Sequence, residues 1–267
     1  MNKTKIEWCD MTWNPVTGCL NDCGYCYARK IASRFGCKSS DVDNFDGLFN
    51  GFTTDKGELC FELDNPIKLN NRKQPYPFGF SPTLHRYRLD EPIKINKSKN
   101  IFVCSMSDLF GDWVKDEWIV EVFKSCELAP QHNYLFLTKF PERYETLLNK
   151  HIPRNWWFGD TSTDPSNHKS CMVHHSVNLF ISIEPIMGSF KGKTFKNYGW
   201  VIIGAETGNR KDKVVPKREW IENIIEDCKK NNIPVFMKDS LKEIWGEELI
   251  CEFPYGFNEN RRCNNES

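Results

Sequence analysis

The stretch Trp200-Val201-Ile202-Ile203-Gly204-Ala205-Glu206-Thr207-Gly208 passes from an unbroken apolar run into glycine and an acid. A short continuous run of β-branched and aromatic residues reads as a strand buried on both faces. The Gly-Ala-Glu that follows reads as the loop at its end. Downstream, Pro216 to Lys230 opens with proline and carries Trp220, Ile221, Ile224 and Ile225 at helical spacing. It ends in Lys229-Lys230-Asn231-Asn232, a helix stop. Pro234 to Met237 is a second apolar run. Strand, helix and strand in that order make a parallel βα unit, because a helical crossover returns the chain in the same direction.

The rhythm recurs on both sides. Ile101 to Cys104, Tyr134 to Leu137, Trp156 to Phe158 and Leu179 to Ile183 read as strands. Trp113 to Leu128 reads as an amphipathic helix through Val114, Trp118 and Val122. Met11 to Pro15 as a strand, then a loop, then a helix from about Tyr27 to Phe35 supplies an earlier unit. The expectation is an α/β protein, a complete or partial (β/α) barrel, with a doubly wound open sheet as the alternative. The 267 residues suit one barrel, so 1–267 is expected to be a single domain. In such barrels the loops after the strands' C-terminal ends carry the chemistry.

Residues 37–99 interrupt this rhythm and are expected to be an insertion after the first βα unit. Residues 41–64 are acidic, with Asp41, Asp43, Asp46, Asp55, Glu58, Glu62 and Asp64 against Lys56. Residues 66–99 are basic, with Lys68, Arg72, Lys73, Arg86, Arg88, Lys94, Lys97 and Lys99 against Asp90 and Glu91. Two readings stand side by side: an insertion that neutralises itself, and a basic half that faces a phosphate-bearing substrate. Within it, Leu59 to Leu69 reads as a strand or hairpin.

Lys plus Arg and Asp plus Glu are both 36, which excludes a generally cationic surface, so any polyanion site must be local. A 39% hydrophobic content excludes a disordered chain. No run approaches the roughly 18 apolar residues of a membrane span. Met1 to Asp10 has no apolar core, so no secretory signal is read and a cytoplasmic location is expected. In that reducing compartment the 12 cysteines are not expected to form a disulfide framework, and clustered ones read as metal ligands.

The cluster is Gly18-Cys19-Leu20-Asn21-Asp22-Cys23-Gly24-Tyr25-Cys26-Tyr27, a C-x3-C-x2-C spacing. Gly18 and Gly24 allow a loop here to close tightly. Three thiolates gathered on one loop bind a soft metal centre, whereas structural zinc is usually closed by four ligands. Zinc completed by Cys9, Cys37 or a distant His is the competing reading, and with it a non-catalytic, zinc-stabilised nucleic-acid-binding module.

These residues resemble the radical S-adenosylmethionine (SAM) superfamily, whose signature is this spacing with an aromatic residue, here Tyr25, before the third cysteine. The wider run from Trp13 to Arg29 is similar to a phage-borne three-Cys-motif family of radical-SAM-like proteins and, more distantly, to spore photoproduct lyase-like DNA-repair proteins. The closer likeness extends to Ser105-Met106-Ser107-Asp108-Leu109-Phe110, Leu137-Thr138-Lys139, Ser182-Ile183-Glu184-Pro185 and the run from Trp200. It implies a barrel of the radical SAM type. It also implies a 4Fe-4S cluster on Cys19, Cys23 and Cys26, with SAM on the remaining iron. Reduction would cleave SAM to a 5′-deoxyadenosyl radical that abstracts hydrogen from a substrate. The implied partner is an electron donor such as flavodoxin or ferredoxin; the resemblance, the basic residues 66–99 and the run Arg210-Lys211-Asp212-Lys213 favour a nucleobase in DNA or RNA as substrate, with a peptide or protein and a small metabolite as the alternatives.

The same resemblance assigns cofactor-binding roles. Tyr25 lies by the adenine, or is a packing aromatic. Ser105, Ser107 and Asp108 receive the ammonium or ribose of SAM, or cap a helix. Lys139 meets SAM's carboxylate or a substrate phosphate, or is a solvated lysine. Ser182 and Glu184 follow a buried strand, where an unpaired carboxylate is costly. Glu206 has the same logic, although the spacing from Gly199 is one residue short of the adenine-binding pattern. Lys238 and Asp239 are weaker candidates. Cys104 is a candidate thiol hydrogen donor, against the commoner fate of a buried small hydrophobe.

Overall fold

A computed structural model describes residues 1–37, 45, 47–147, 152–166, 168 and 177–257. The N-terminal part contains β1 (Asn2–Lys3), β2 (Met11–Trp13), β3 (Val16–Thr17) and helix α1 (Tyr27–Phe35). The inserted stretch then gives β4 (Asn50–Thr53), β5 (Leu59–Leu63), β6 (Lys68–Leu69), β7 (Arg72–Lys73) and β8 (Thr83–His85). The alternating part follows as β9 (Asn100–Val103), α2 (Asp116–Glu127), β10 (Asn133–Thr138), α3 (Glu142–Leu147), β11 (Trp156–Thr161) and β12 (Asn178–Ile183). It ends with β13 (Trp200–Ile203), α4 (Arg218–Lys230), β14 (Val235–Met237) and α5 (Lys242–Trp245).

The main sheet has eight strands in the order β1-β2-β9-β10-β11-β12-β13-β14. Only β1 runs antiparallel to its neighbour; from β2 to β14 every pairing is parallel. The parallel strands lie in chain order, so the sheet lacks the reversal point of a doubly wound sheet. Each of the seven expected strands is present, Trp200–Ile203 with both ends as expected and the others with ends displaced by at most three residues. The helix expected from Trp113 begins at Asp116, because Val114 is drawn into a turn on the Gly111 carbonyl and Lys115 has extended backbone.

Side chains alternate across this sheet. Ile101, Val103, Tyr134, Phe136, Phe158, Ile181, Val201 and Met237 face one side and pack with the buried stripes of α2 and α4. Those stripes, Trp118, Ile119, Val122 and Cys126, and Ile221, Ile224, Ile225 and Cys228, follow the three-and-four spacing of an amphipathic helix. Tyr144 of α3 and Trp245 of α5 join the same core. Phe102, Leu135, Trp157, Phe180, Ile202 and Phe236 face the other side, which Trp8 and Phe257 cover. Trp8 sits 4.7 Å from the Phe102 ring and 6.3 Å from Phe180 and Trp200. Gly159 is opposite Phe180, and a Cβ there would come within 2.4 Å of the ring, so this aromatic layer requires glycine.

Residues 37–99 join β3 in a second sheet, β3-β8-β5-β4, and form a hairpin, β6-β7. Phe45, Leu63, Ile67 and Phe78 form a small core of their own. The Leu59 to Leu69 expectation divides between two structures: β5 joins the second sheet and β6 turns into the hairpin. Part of the charge cancels internally, since Arg86 meets Glu62 and Asp64, and it also meets Glu121 of α2. Arg88 donates to the carbonyls of Asn14 and Pro75. No helix among the described residues is long and apolar enough to cross a membrane. Cys251 is disulfide-bonded, and the other cysteines among the described residues are free.

Candidate functional site

The parallel strands from β9 to β14 deliver side chains to one pocket from their C-terminal ends. They supply Ser105, Ser107 and Asp108 after β9, Thr138 and Lys139 at β10, Thr161 at β11, Ser182 and Glu184 at β12, Glu206 after β13 and Lys238 after β14. Trp8, Phe102 and Leu137 give the pocket its apolar surface. Cys19, Cys23, Tyr25 and Cys26 line the same space from the cysteine loop.

That loop follows β3, not the first strand of the main sheet directly, because the chain leaves β2 to pair once with the second sheet. Gly18 starts the loop with φ +82°, and a Cβ there would stand 2.2 Å from the Ser81 carbonyl oxygen. Its N–H donates to Met106 O, and Ser107 Oγ donates to its carbonyl at 2.6 Å. Gly24 has open space around it and no left-handed backbone, so the closure expected of both glycines rests on Gly18. At the far end Cys26 caps α1, its sulfur accepting from the Arg29 N–H at 3.4 Å. Arg29 also donates to Asn21 O at 2.8 Å.

Asp108 is nearly buried and fully engaged. Its oxygens accept from Thr138 Oγ1 at 2.6 Å, Lys139 N at 3.0 Å, Phe110 N at 3.2 Å and Asn21 Nδ2 at 3.4 Å. Burial raises its pKa against these donors. The expected helix cap is therefore a turn cap that also braces β10 and the cysteine loop. The Lys139 ammonium is held above its ordinary value. Burial opposes the charge, but Tyr25, Cys23, Asp108 and Cys19 together outweigh it. Burial pushes the Tyr25 phenol up, with Lys139 acting the other way.

Ser182 Oγ donates to Glu184 Oε2 at 3.1 Å, and Lys238 Nζ stands 3.1 Å from Glu184 Oε1 and 3.8 Å from Glu7. Glu206 is gripped by its own loop: Arg210 Nε and a second guanidinium nitrogen donate to its two oxygens at 2.7 and 2.8 Å. Those bonds hold its carboxyl below the usual carboxylate range. Its geometry is that of a loop clamp at the pocket wall.

Cys104 does not line the pocket, which corrects the expectation of a thiol there. Alternation from Val103 puts residue 104 on the pocket side, but Cys104 has φ 59° and its side chain joins the helix-side core. Burial pushes its thiol up to about 12. Pocket-lining residues that the sequence does not single out include Asn21, Tyr27, Thr161, Phe80 and Trp8. Thr161 ends a strand as Thr138 does, a signal that was readable. Trp8 and Phe80 reach the pocket only through tertiary packing.

By chemical type, three thiols are donors that a soft metal centre takes. Burial drives the Cys19 thiol up to about 12, with Asp108 adding to the effect, so a thiolate at this place needs a positive centre beside it. Trp8 Nε1 is buried without a hydrogen-bond partner among the described residues. Among those residues, no group of three or more His, Cys, Asp or Glu side chains forms a site for a metal ion.

Fold and site together define a mixed α/β protein with a three-cysteine pocket at the C-terminal edge of a sequentially ordered parallel sheet. The family described as "Protein of unknown function (DUF5131)" matches residues 3–248, and the chain belongs to it. No curated protein and no solved structure matches the chain.

Proposed function

We propose that this protein is a radical SAM enzyme built on a partial (β/α) barrel, with residues 37–99 as its insertion. The observation that carries the reading is a convergence. The C-x3-C-x2-C cysteines and Tyr25, Ser105, Ser107, Asp108, Lys139, Ser182, Glu184 and Glu206 all line one pocket. When bound, a 4Fe-4S cluster on Cys19, Cys23 and Cys26, with SAM on its open iron, supplies a 5′-deoxyadenosyl radical by reductive cleavage.

The chain's own residues then have separable tasks. Lys139 and Lys238 offer cationic donors for carboxylate groups, and Glu184 offers an acceptor for an ammonium or hydroxyl. Trp8, Phe102 and Leu137 keep water from the reacting groups. Asp108 and Arg210 hold loops in place. The proposed setting is cytoplasmic, with a flavodoxin or ferredoxin as electron donor and a nucleobase in DNA or RNA as substrate.

The test is anaerobic purification followed by iron and sulfide analysis, then incubation with SAM and a strong one-electron reductant. Brown protein that releases 5′-deoxyadenosine supports the reading. Colourless protein with bound zinc and no SAM cleavage overturns it in favour of a nucleic-acid-binding module.

A further inference from the structure

Helix α1 buries Ala28 and Ala32 and exposes Tyr27, Ile31 and Phe35. Those three are 49%, 37% and 54% exposed, and their four-residue spacing puts them on one stripe. An amphipathic helix ordinarily does the reverse. Lys30 and Arg34 flank the stripe and are exposed, with no ion pair among the described residues. The Arg34 guanidinium lies 5.3 Å over the Phe35 ring.

At the far end of α1, Gly36 bridges to Tyr76 and Cys37 N donates to Tyr76 O, which joins the helix to the segment after the β6-β7 hairpin. That hairpin turns through Asn70 and Asn71, at φ 48° and 61°. Lys68 stands directly opposite Lys73, and Arg72 is opposite Leu69. All three cations are exposed and without an ion pair among the described residues. Like charges opposite each other on a two-stranded ribbon cost stability. Arg86, by contrast, is neutralised by three carboxylates. Three unpaired cations of residues 37–99 thus sit together on the hairpin, while Lys97 and Lys99 lie elsewhere in the chain.

The stripe begins at Tyr27, which lines the pocket and whose hydroxyl donates to Ser105 O at 2.7 Å. From Tyr27 to Phe35 the stripe runs about 12 Å along α1, and Gly36 then meets Tyr76, three residues beyond the hairpin's second strand. We propose that this surface is a track for a single-stranded nucleic acid. On it, Lys30, Arg34, Lys68, Arg72 and Lys73 hold phosphates, Phe35 and Tyr27 offer faces for bases, and the track leads a nucleotide to the pocket. Alternating cations and exposed aromatic planes are what sequence-tolerant single-strand binding uses. That the nucleotide is the substrate rests on the radical SAM reading; the binding itself does not.

The test is fluorescence anisotropy of the full chain, without SAM or reductant, using a fluorescein-labelled mixed-sequence 20-mer of DNA and its RNA counterpart. Wild type is expected to bind with an affinity that falls steeply with salt. Lys68→Glu with Lys73→Glu should lower affinity at least tenfold and flatten the log–log salt slope by about 1.4, for two lost phosphate contacts. Phe35→Ala should lower it roughly fivefold to a hundredfold through lost stacking. Lys68→Glu alone replaces a repulsive pair by an attractive one. It should weaken binding while leaving the thermal midpoint unchanged or raised, a combination that misfolding does not give. Lys229→Glu with Lys230→Glu, at the C-terminal end of α4, should bind as wild type. Absence of salt-dependent binding, equal loss in the α4 control, or binding confined to an acidic protein such as flavodoxin overturns the track. If binding fails while 5′-deoxyadenosine is still released, the track alone fails. If binding holds and SAM is not cleaved, the radical SAM reading fails and the track stands.

Discussion

Cys104 and Ser105 are adjacent in the chain and serve opposite sides of the sheet. Ser105 lines the pocket, while Cys104 belongs to the core on the helix side. The left-handed backbone of Cys104 makes the switch. A non-glycine residue in that region stores strain of about 1–3 kcal/mol, and a β-branched one stores more. Cys104→Ala should leave release of 5′-deoxyadenosine unchanged, because the thiol does not reach the pocket. Cys104→Val should lower stability by about 1–3 kcal/mol in urea denaturation. A large loss of activity in a well-folded Cys104→Ala protein would return the thiol to the chemistry.

Asp160 follows the opposite course from its pocket-lining neighbour Thr161. Its carboxyl accepts from Tyr198 at 3.1 Å, and burial pushes its pKa from 3.8 to about 7. An acid with a raised folded-state pKa holds its proton more tightly when folded. That contribution is complete below 3.8 and is lost as pH rises through about 7. Asp160→Asn keeps the shape and cannot ionise. Its stability relative to wild type should rise with pH, by on the order of a few kcal/mol between pH 4 and 8. Urea midpoints that run parallel across that range would contradict the assignment.

What could be read from sequence follows physical length. Strands of four to six residues buried on both faces, such as Asn178–Ile183, announce themselves as apolar runs. The short strands Val16–Thr17 and Thr83–His85 carry no period to detect, so of the second sheet only the strand at Leu59–Leu63 is legible in the sequence. Ser182 and Glu184 were legible because they end a buried strand. Cys104 was misplaced because a left-handed residue breaks the alternation on which the expectation rested. Glu206 was legible in place, but its bond to Arg210 depends on the path of a loop that no pattern encodes.

Gly18 and Gly24 separate cleanly in the cysteine loop. Gly18→Ala forces a Cβ to within 2.2 Å of Ser81 O and strains a backbone at φ +82°. Gly24→Ala meets nothing within 4 Å. Reconstituted iron should therefore fall several-fold in Gly18→Ala and stay near the wild-type content in Gly24→Ala. Equal iron in both variants would mean that the loop does not need the Gly18 turn to present its cysteines.

Asp108 and Glu184 both line the pocket, yet their substitution should have different consequences. Asp108 satisfies Thr138, Lys139 N and Phe110 N at 2.6–3.2 Å. Asp108→Ala strands those donors in a buried place, which should cost about 1–3 kcal/mol of stability and loosen the cysteine loop with it. Glu184 touches Ser182 and Lys238, and both partners also face the pocket. Glu184→Gln keeps the size and removes the charge. It should leave iron content and thermal midpoint near wild type and weaken SAM binding about tenfold to a hundredfold, the loss of one charge-assisted hydrogen bond of about 1.5–3 kcal/mol. Cys19→Ala, Cys23→Ala and Cys26→Ala should each lower iron and sulfide after reconstitution, whatever SAM does. The three measurements are independent: stability tests the brace, iron tests the ligands, and SAM affinity at constant iron tests Glu184. A reducible cluster that survives in all three cysteine variants would remove them as ligands. An intact cluster that neither binds SAM nor releases 5′-deoxyadenosine would leave the pocket with an electron-transfer or structural role.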